Sequence, residues 1–304
     1  MTKFLLDSGN TNEYKELTKL AKSKGTEIWG ATTNPTLIAK NITGKKLTQD
    51  EAFKLQKEII LEILSLVPGA VSAEVYADKS TTAEEMIQQG EEIATWNKRI
   101  YVKLPTTLAG FKARTALRQE NISINNTLVF SQQQIFAITL HEQIVRQINP
   151  YIQSTWPQFI SPFIGRLDDF GQRGYQIIDH GMKMKSKFLS LNNTPLTWIL
   201  SASIRTPVHI KQTINANAEI ITAPGKAYRE WFALTPQQIQ EIDITTYTKN
   251  LKDIPYWDPP LELQKITTVE EFTNAIQTNK LDIRHPLTDR GIDQFVADWK
   301  AILI

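Results

Sequence analysis

Lys103 sits in an unusual setting for a lysine. It lies in Ile100-Tyr101-Val102-Lys103-Leu104-Pro105-Thr106-Thr107, a β-branched and aromatic run closed by a proline, which predicts a strand running into a loop. Strand side chains alternate, so Lys103 shares a face with Tyr101 while Val102 and Leu104 point the other way. If both faces are buried, the amine is poorly hydrated, and a fraction of it is neutral and nucleophilic near neutral pH. A lysine on an edge strand whose head reaches solvent fits the same stretch. The ends of the other predicted strands bear on the choice: they carry Asp7, Thr33-Asn34, Glu74, Asn125-x-Thr127, Ser161-x-Phe163 and Ser203-x-Arg205. A lone acid at a strand end is most often a helix cap. An amine, acids, neutral hydrogen-bonders and arginines arriving together are the inventory for carbonyl chemistry on a hydroxylated, phosphorylated substrate.

The elements that must position these groups alternate. Strands are predicted at Lys3–Asp7, Glu27–Thr33, Val71–Tyr76, around Lys103, and at Ile122–Phe130, Phe159–Ile164, Thr197–Ser203 and Glu219–Ala223. Helices follow them over about Thr11–Lys24, Thr48–Leu66, Thr81–Asn97, Leu108–Arg118, Gln132–Ile148, Asp168–Leu189 (mostly helical) and Pro207–Asn217, with a short one after Pro224-Gly225. The alternation argues for parallel β/α units and a single α/β domain over 1–304, a closed (β/α)8 TIM barrel, with a doubly wound open sheet as the runner-up. Residues 236–281 break the rhythm and read as an insertion of loops and one or two helices; 285–304 form a C-terminal amphipathic helix carrying Ile292, Phe295, Val296 and Trp299. No internal repeat is evident.

Composition narrows the class. A net charge of +2 is too small to argue for nucleic acid or a membrane surface, and Lys183, Lys185 and Lys187 read as a solvated helix face. With no cysteine there is neither disulfide nor thiolate chemistry. The four histidines, His141, His180, His209 and His285, lack ligand spacing, so no metal site is expected. No Walker loop or G-x-G-x-x-G offers a cradle for a nucleotide. Asp7 interrupts the N-terminal apolar run before a signal core could form, and no stretch approaches the roughly 18 apolar residues of a membrane helix. A cytoplasmic protein is expected, which leaves the sequons at Asn41, Asn121, Asn125 and Asn192 without meaning.

Thr32-Thr33-Asn34-Pro35-Thr36-Leu37-Ile38, Val71-Ser72-Ala73-Glu74-Val75, Val102-Lys103-Leu104-Pro105, Asn125-Asn126-Thr127-Leu128-Val129-Phe130-Ser131, Ile160-Ser161-Pro162-Phe163-Ile164-Gly165-Arg166-Leu167-Asp168-Asp169 and Ala202-Ser203-Ile204-Arg205 together resemble the transaldolase family. The tail from His285 to Ile292 resembles the end of the smaller transaldolases and of fructose-6-phosphate aldolase. The resemblance implies a class I aldolase mechanism of the pentose phosphate pathway. Lys103 forms a Schiff base with the ketose C2 carbonyl, Asp7 is the general acid/base at the C4 hydroxyl, and Glu74 relays protons with a water positioned by Thr127. Thr33, Asn34, Asn125, Ser161 and Phe163 bind substrate; Arg166, Ser203 and Arg205 bind its phosphate. Neither metal nor organic cofactor is implied, and the partners are sugar phosphates, not nucleic acid or membrane. Neighbouring subunits in smaller members exchange C-terminal helices, so a homo-oligomer lies within the expectation.

Fructose-6-phosphate aldolases carry Gln at the Glu74 position and Tyr at the Phe163 position. The residues here are of the transaldolase type, which implies transfer of a dihydroxyacetone unit from sedoheptulose 7-phosphate or fructose 6-phosphate to an aldose phosphate. The alternatives are a fructose-6-phosphate aldolase-like enzyme and a catalytically silent sugar-phosphate-binding barrel. Three features stand outside the pattern. Asn126 puts an amide on an outer, apolar face, where it bonds a neighbouring helix or marks an irregular strand. Asp168-Asp169 caps the next helix or steadies Arg166. Lys226 has no assigned role.

Overall fold

Eight strands pair in chain order, all parallel, and the last closes on the first. They are β1 (Lys3–Asp7), β2 (Ile28–Thr32), β3 (Val71–Glu74), β4 (Ile100–Pro105), β5 (Ile124–Val129), β6 (Gln158–Pro162), β7 (Thr197–Ser201) and β8 (Ile220–Ala223). Closure excludes the open sheet and makes the chain a (β/α)8 barrel. This computed structural model describes residues 2–42, 46–186 and 195–304; Lys187 and Asn192 lie outside them. The outer layer comprises α1 (Thr11–Ser23), α2 (Pro35–Ala39), α3 (Gln49–Leu66), α4 (Ala83–Thr95), α5 (Leu108–Gln119), α6 (Gln132–Ile148), α7 (Ile164–Asp169), α8 (Gln176–Lys185), α9 (Pro207–Asn215) and α10 (Gly225–Ala233). Their starts are written locally. Thr48, Thr82 and Ser131 form capping boxes with Glu51, Glu85 and Gln134, satisfying backbone donors that the first turn leaves unpaired.

Strand alternation divides the interior. Val102 and Leu104 face out into the layer between barrel and helices. Tyr101 faces in with Leu5, Trp29, Phe159, Leu200 and Ile220, and its ring stacks on Phe159 at 4.0 Å. This aromatic plug fills the barrel one layer below Lys103, so the amine sits on a dry floor.

Three local expectations need correction. The helix predicted over Asp168–Leu189 is two helices: α7 begins at Ile164, and Gly171 takes φ 84° between it and α8, a left-handed turn that a side chain resists. Residues 187–189 lie outside the described residues. Segment 236–281 holds four short helices rather than one or two: α11 (Pro236–Glu241), α12 (Ile244–Thr248), α13 (Leu261–Gln264) and α14 (Val269–Gln277). Finally, α2 was unanticipated; Asn34 caps it, with Pro35 in its first turn. The C-terminal helix α15 (Pro286–Lys300) packs across α2 of the same chain. Its end is tied back by the Leu47–Leu303 bridge. Among the described residues no helix is long and apolar enough to cross a membrane.

Candidate active site

Register places the candidate residues side by side. Glu74 on β3 pairs with Lys103 on β4, and Lys103 with Asn125 on β5. In parallel strands, in-register residues point the same way, so all three enter the barrel together. Lys103 Nζ lies 2.8 Å from Glu74 Oε2 and donates to the Thr33 carbonyl at 2.9 Å. Lys103 is only 3% exposed and Glu74 5%. A closed barrel has no edge, so the solvent-reaching alternative for Lys103 is excluded. Burial pushes the Glu74 carboxyl above the usual range even though Lys103 opposes it. A carboxyl so placed can accept a proton from the amine beside it and return it.

Asp7 ends β1, in register with Thr32 on β2. Thr32 donates to Asp7 Oδ1 at 2.6 Å and meets Thr222 Oγ1 of β8 at 2.6 Å. Burial raises the Asp7 carboxyl, opposed by Lys103 and by the Thr32 bond. Opposite, Ser161 donates to Asn125 Oδ1 at 2.7 Å, and Asn125 donates to Ser72 Oγ at 3.0 Å. Thr33 contributes its carbonyl to Lys103 and turns its hydroxyl onto the Ser72 carbonyl. Asn34 spends its side-chain oxygen capping α2 while lining the cavity. The Thr127 carbonyl accepts from Thr106, while its own hydroxyl is buried without a hydrogen-bond partner among the described residues.

A cavity of about 370 Å³ is lined by Asp7, Asn34, Lys103, Thr127, Ser161, Phe163, Arg166 and Ser203, while Glu74, Thr33 and Asn125 stand behind its lining. The Arg166 guanidinium lies 5.3 Å from the Phe163 ring and 5.5 Å from that of Phe295 on α15. Held between two rings, it keeps its donors for a ligand. Arg205 is placed differently: it binds Asp169 bidentately at 2.5 Å, with its side chain 44% exposed, and does not line the cavity. Asp168 meets His209. Lys226 is exposed on α10, 3.9 Å from Glu230. Sequence reasoning missed Thr32, Thr222, Ser72, Thr36, Lys40 and, from the far end of the chain, Phe295 and Asp298. Ser72 could have been found, being two residues before Glu74 and therefore on its face; Phe295 had no local signal.

Asn126 is both bonded to a helix and next to an irregularity. Arg114 Nε on α5 donates to its Oδ1 at 2.9 Å, and the β5–β6 register shifts between Asn126 and Val129, with Leu128 at φ 58°. Arg114 belongs to a buried cluster in which Glu142 on α6 takes Arg114 at 2.8 Å, Arg118 at 2.9 Å and Arg146 at 2.8 Å. Burial opposes ionisation of Glu142, but the arginines prevail and hold it down to about 2. His141 meets Arg114, and burial with that neighbour keeps its imidazole far below the usual range. Among the described residues, no His, Asp and Glu cluster could hold a metal ion.

A (β/α)8 barrel with an amine and two carboxyls at the carboxyl ends of its strands is the architecture of an aldolase- or transferase-type enzyme. The chain belongs to the family described as transaldolase/fructose-6-phosphate aldolase, whose model matches residues 4–304. It is 34% identical over 253 residues to a probable transaldolase of Caldicellulosiruptor saccharolyticus, covering 83% of this chain and 98% of that one. It is 32% identical to the probable transaldolase of Lachnoclostridium phytofermentans, covering 99% and 98%. With the probable transaldolase of Thermoplasma volcanium it shares 31% identity, covering 99% and 96%. A crystal structure of a putative phosphonomutase from Burkholderia cenocepacia overlaps 82% of this chain and 93% of its own at 11% identity and TM-score 0.43, too distant to bear on function.

Proposed function

We propose that the protein is a transaldolase that moves a dihydroxyacetone unit from fructose 6-phosphate or sedoheptulose 7-phosphate to an aldose phosphate, as in the pentose phosphate pathway. The observation that carries this reading is that Lys103, which lines a cavity Asp7 also enters, is paired at 2.8 Å with the buried Glu74 behind it. Lys103 passes a proton to Glu74, whose raised affinity favours the exchange, and the neutral amine attacks C2. Glu74 returns the proton as hydroxide leaves the carbinolamine, through a water held by the Thr127 hydroxyl. Asp7 takes the proton of the C4 hydroxyl; the C3–C4 bond breaks, its electrons flow to the protonated imine, and the first aldehyde departs. The enamine adds to the acceptor aldehyde, and Asp7 protonates the new alkoxide. Water then adds to the resulting imine, breaking its bond to nitrogen to release the new ketose and restore the Lys103 amine. Asn34, Asn125 and Ser161 hold the hydroxyls, while Arg166 and Ser203 bind phosphate. The imine is itself the electron sink, so no cofactor is needed.

Incubation with fructose 6-phosphate and borohydride should leave a reduced adduct on Lys103, located by mass spectrometry and absent from Lys103→Ala. An adduct elsewhere, or none, defeats the mechanism. Phe163 favours transfer over the aldolase reading, because an apolar ring offers no hydroxyl to activate water against the intermediate. Free dihydroxyacetone should therefore stay low with or without erythrose 4-phosphate, whose addition should instead yield sedoheptulose 7-phosphate; abundant release without acceptor would favour the aldolase.

A further inference from the structure

The role of segment 236–281 follows from what stands behind the phosphate residues. Arg166 lies on α7 and Ser203 on the loop after β7, and the two segments are built as one unit. Ala202 N donates to the Pro162 carbonyl at 2.8 Å and Ile164 N to the Ala202 carbonyl at 3.0 Å. A side chain on Gly165 would come within 2.3 Å of the Ser203 carbonyl oxygen. Ser203 holds φ 59°, a left-handed conformation that a non-glycine residue keeps only when its surroundings impose it.

His209 on α9 supplies part of that constraint. It is fully buried, and its Nδ1 accepts the Arg205 backbone N–H at 3.2 Å. That bond puts the ring proton on Nε2. The Nε2–H is shared between Asp168 Oδ2 on α7 at 2.8 Å and the Tyr247 hydroxyl on α12 at 3.0 Å. The Tyr247 ring stands edge-on to the imidazole at 5.2 Å. The chain around α12 is anchored in turn: Lys211 donates to the Gln240 and Ile242 carbonyls at the end of α11, and Arg173 to that of Thr248 at the end of α12. Tyr247 does not line the substrate cavity, so whatever it does for a ligand it does through His209.

We infer that His209 and Tyr247 are positioning residues for phosphate recognition, and that segment 236–281 serves the site by clamping the Ser203–Arg205 loop against α7. The inference rests on the reading of Arg166 and Ser203 as the phosphate site. The probe is inorganic phosphate, titrated calorimetrically into the full chain, with Arg166→Gln as the control that removes the site. Tyr247→Phe, a change at a part-exposed ring, should raise the phosphate dissociation constant about three- to tenfold, the range for one lost hydrogen bond. His209→Gln, which removes the Nδ1 acceptor, should raise it further. The melting temperature of Tyr247→Phe and the borohydride trapping of unphosphorylated dihydroxyacetone should match the parent. Unchanged phosphate affinity in Tyr247→Phe overturns the clamp, as does a parallel loss of dihydroxyacetone trapping, which marks general damage. If His209→Gln does not fold, Tyr247→Phe alone decides. A parent protein with no phosphate binding that Arg166→Gln abolishes overturns site and clamp together. Failure of the parent to trap dihydroxyacetone strikes only the Lys103 mechanism, since calorimetry still reads the clamp.

Discussion

At the scale of residues, Asp7 and Glu74 carry the consequence of placing acids where water is scarce. Each has its folded pKa raised by burial. A raised carboxyl favours the fold below its unfolded pKa, and that contribution is lost as pH rises through the folded value. Ionising Asp7 therefore costs stability. Asp7→Asn should lower kcat by roughly 10²–10⁴, the usual share of a general acid/base, while the urea midpoint at pH 7 holds or rises. A fall in both would mean that Asp7 is a structural acid. The acid limb of the parent's kcat profile should lie above the ordinary carboxylate range, because the reacting acids titrate late. The presence of these acids at strand ends was legible in residue type and strand position. The hydrogen bonds that set them, from Thr32 to Asp7 and from Asn125 to Ser72, were not, because each joins different strands.

At the scale of elements, the Arg114–Glu142–Arg118 cluster fastens α5 to α6 and, through Asn126, to the strand that delivers Asn125 and Thr127. Removing one partner of a buried ion pair leaves charges uncompensated, which costs about 3–5 kcal/mol. Glu142→Gln should lose that much in denaturant unfolding; a loss under about 1 kcal/mol would show the arginines finding other partners. Since Glu142 is depressed to about 2 from an ordinary 4.5, its contribution is present above the unfolded pKa and lost as pH falls toward 2. The parent should lose stability in that window and Glu142→Gln should lose less. The sequence pointed to this cluster only through Asn126, whose amide stood out on an apolar face. Arg114, Arg118 and Glu142 drew no expectation from the sequence, and the docking of α5 and α6 on the barrel buries them together.

At the scale of the whole molecule, the C-terminal helix closes the site that the N-terminal strands open. Phe295 lies 6.0 Å from Lys103 Nζ and packs on Arg166, while Asp298 accepts from Thr36 on α2. A cation–ring contact contributes roughly 0.5–2 kcal/mol, so Phe295→Ala should lower kcat/KM about 2- to 30-fold. It should also raise release of dihydroxyacetone without acceptor, as water reaches the imine. Unchanged kinetics with a lowered melting temperature would reduce α15 to packing.

The sequence by itself determined the barrel and most of its chemical inventory. Alternating apolar strands and amphipathic helices admit few parallel folds, and the strand ends offered Lys103, Glu74 and Asn125 as candidates; barrel register set the three side by side. Tertiary structure decided what depends on distant segments meeting: that Lys103 has no edge to escape from, that Arg205 is held by Asp169, that Phe295 roofs the cavity and that Tyr247 stands behind His209. Local pattern records which face a residue occupies. Which partner waits there is set by barrel closure and helix docking, and no single stretch of chain encodes them.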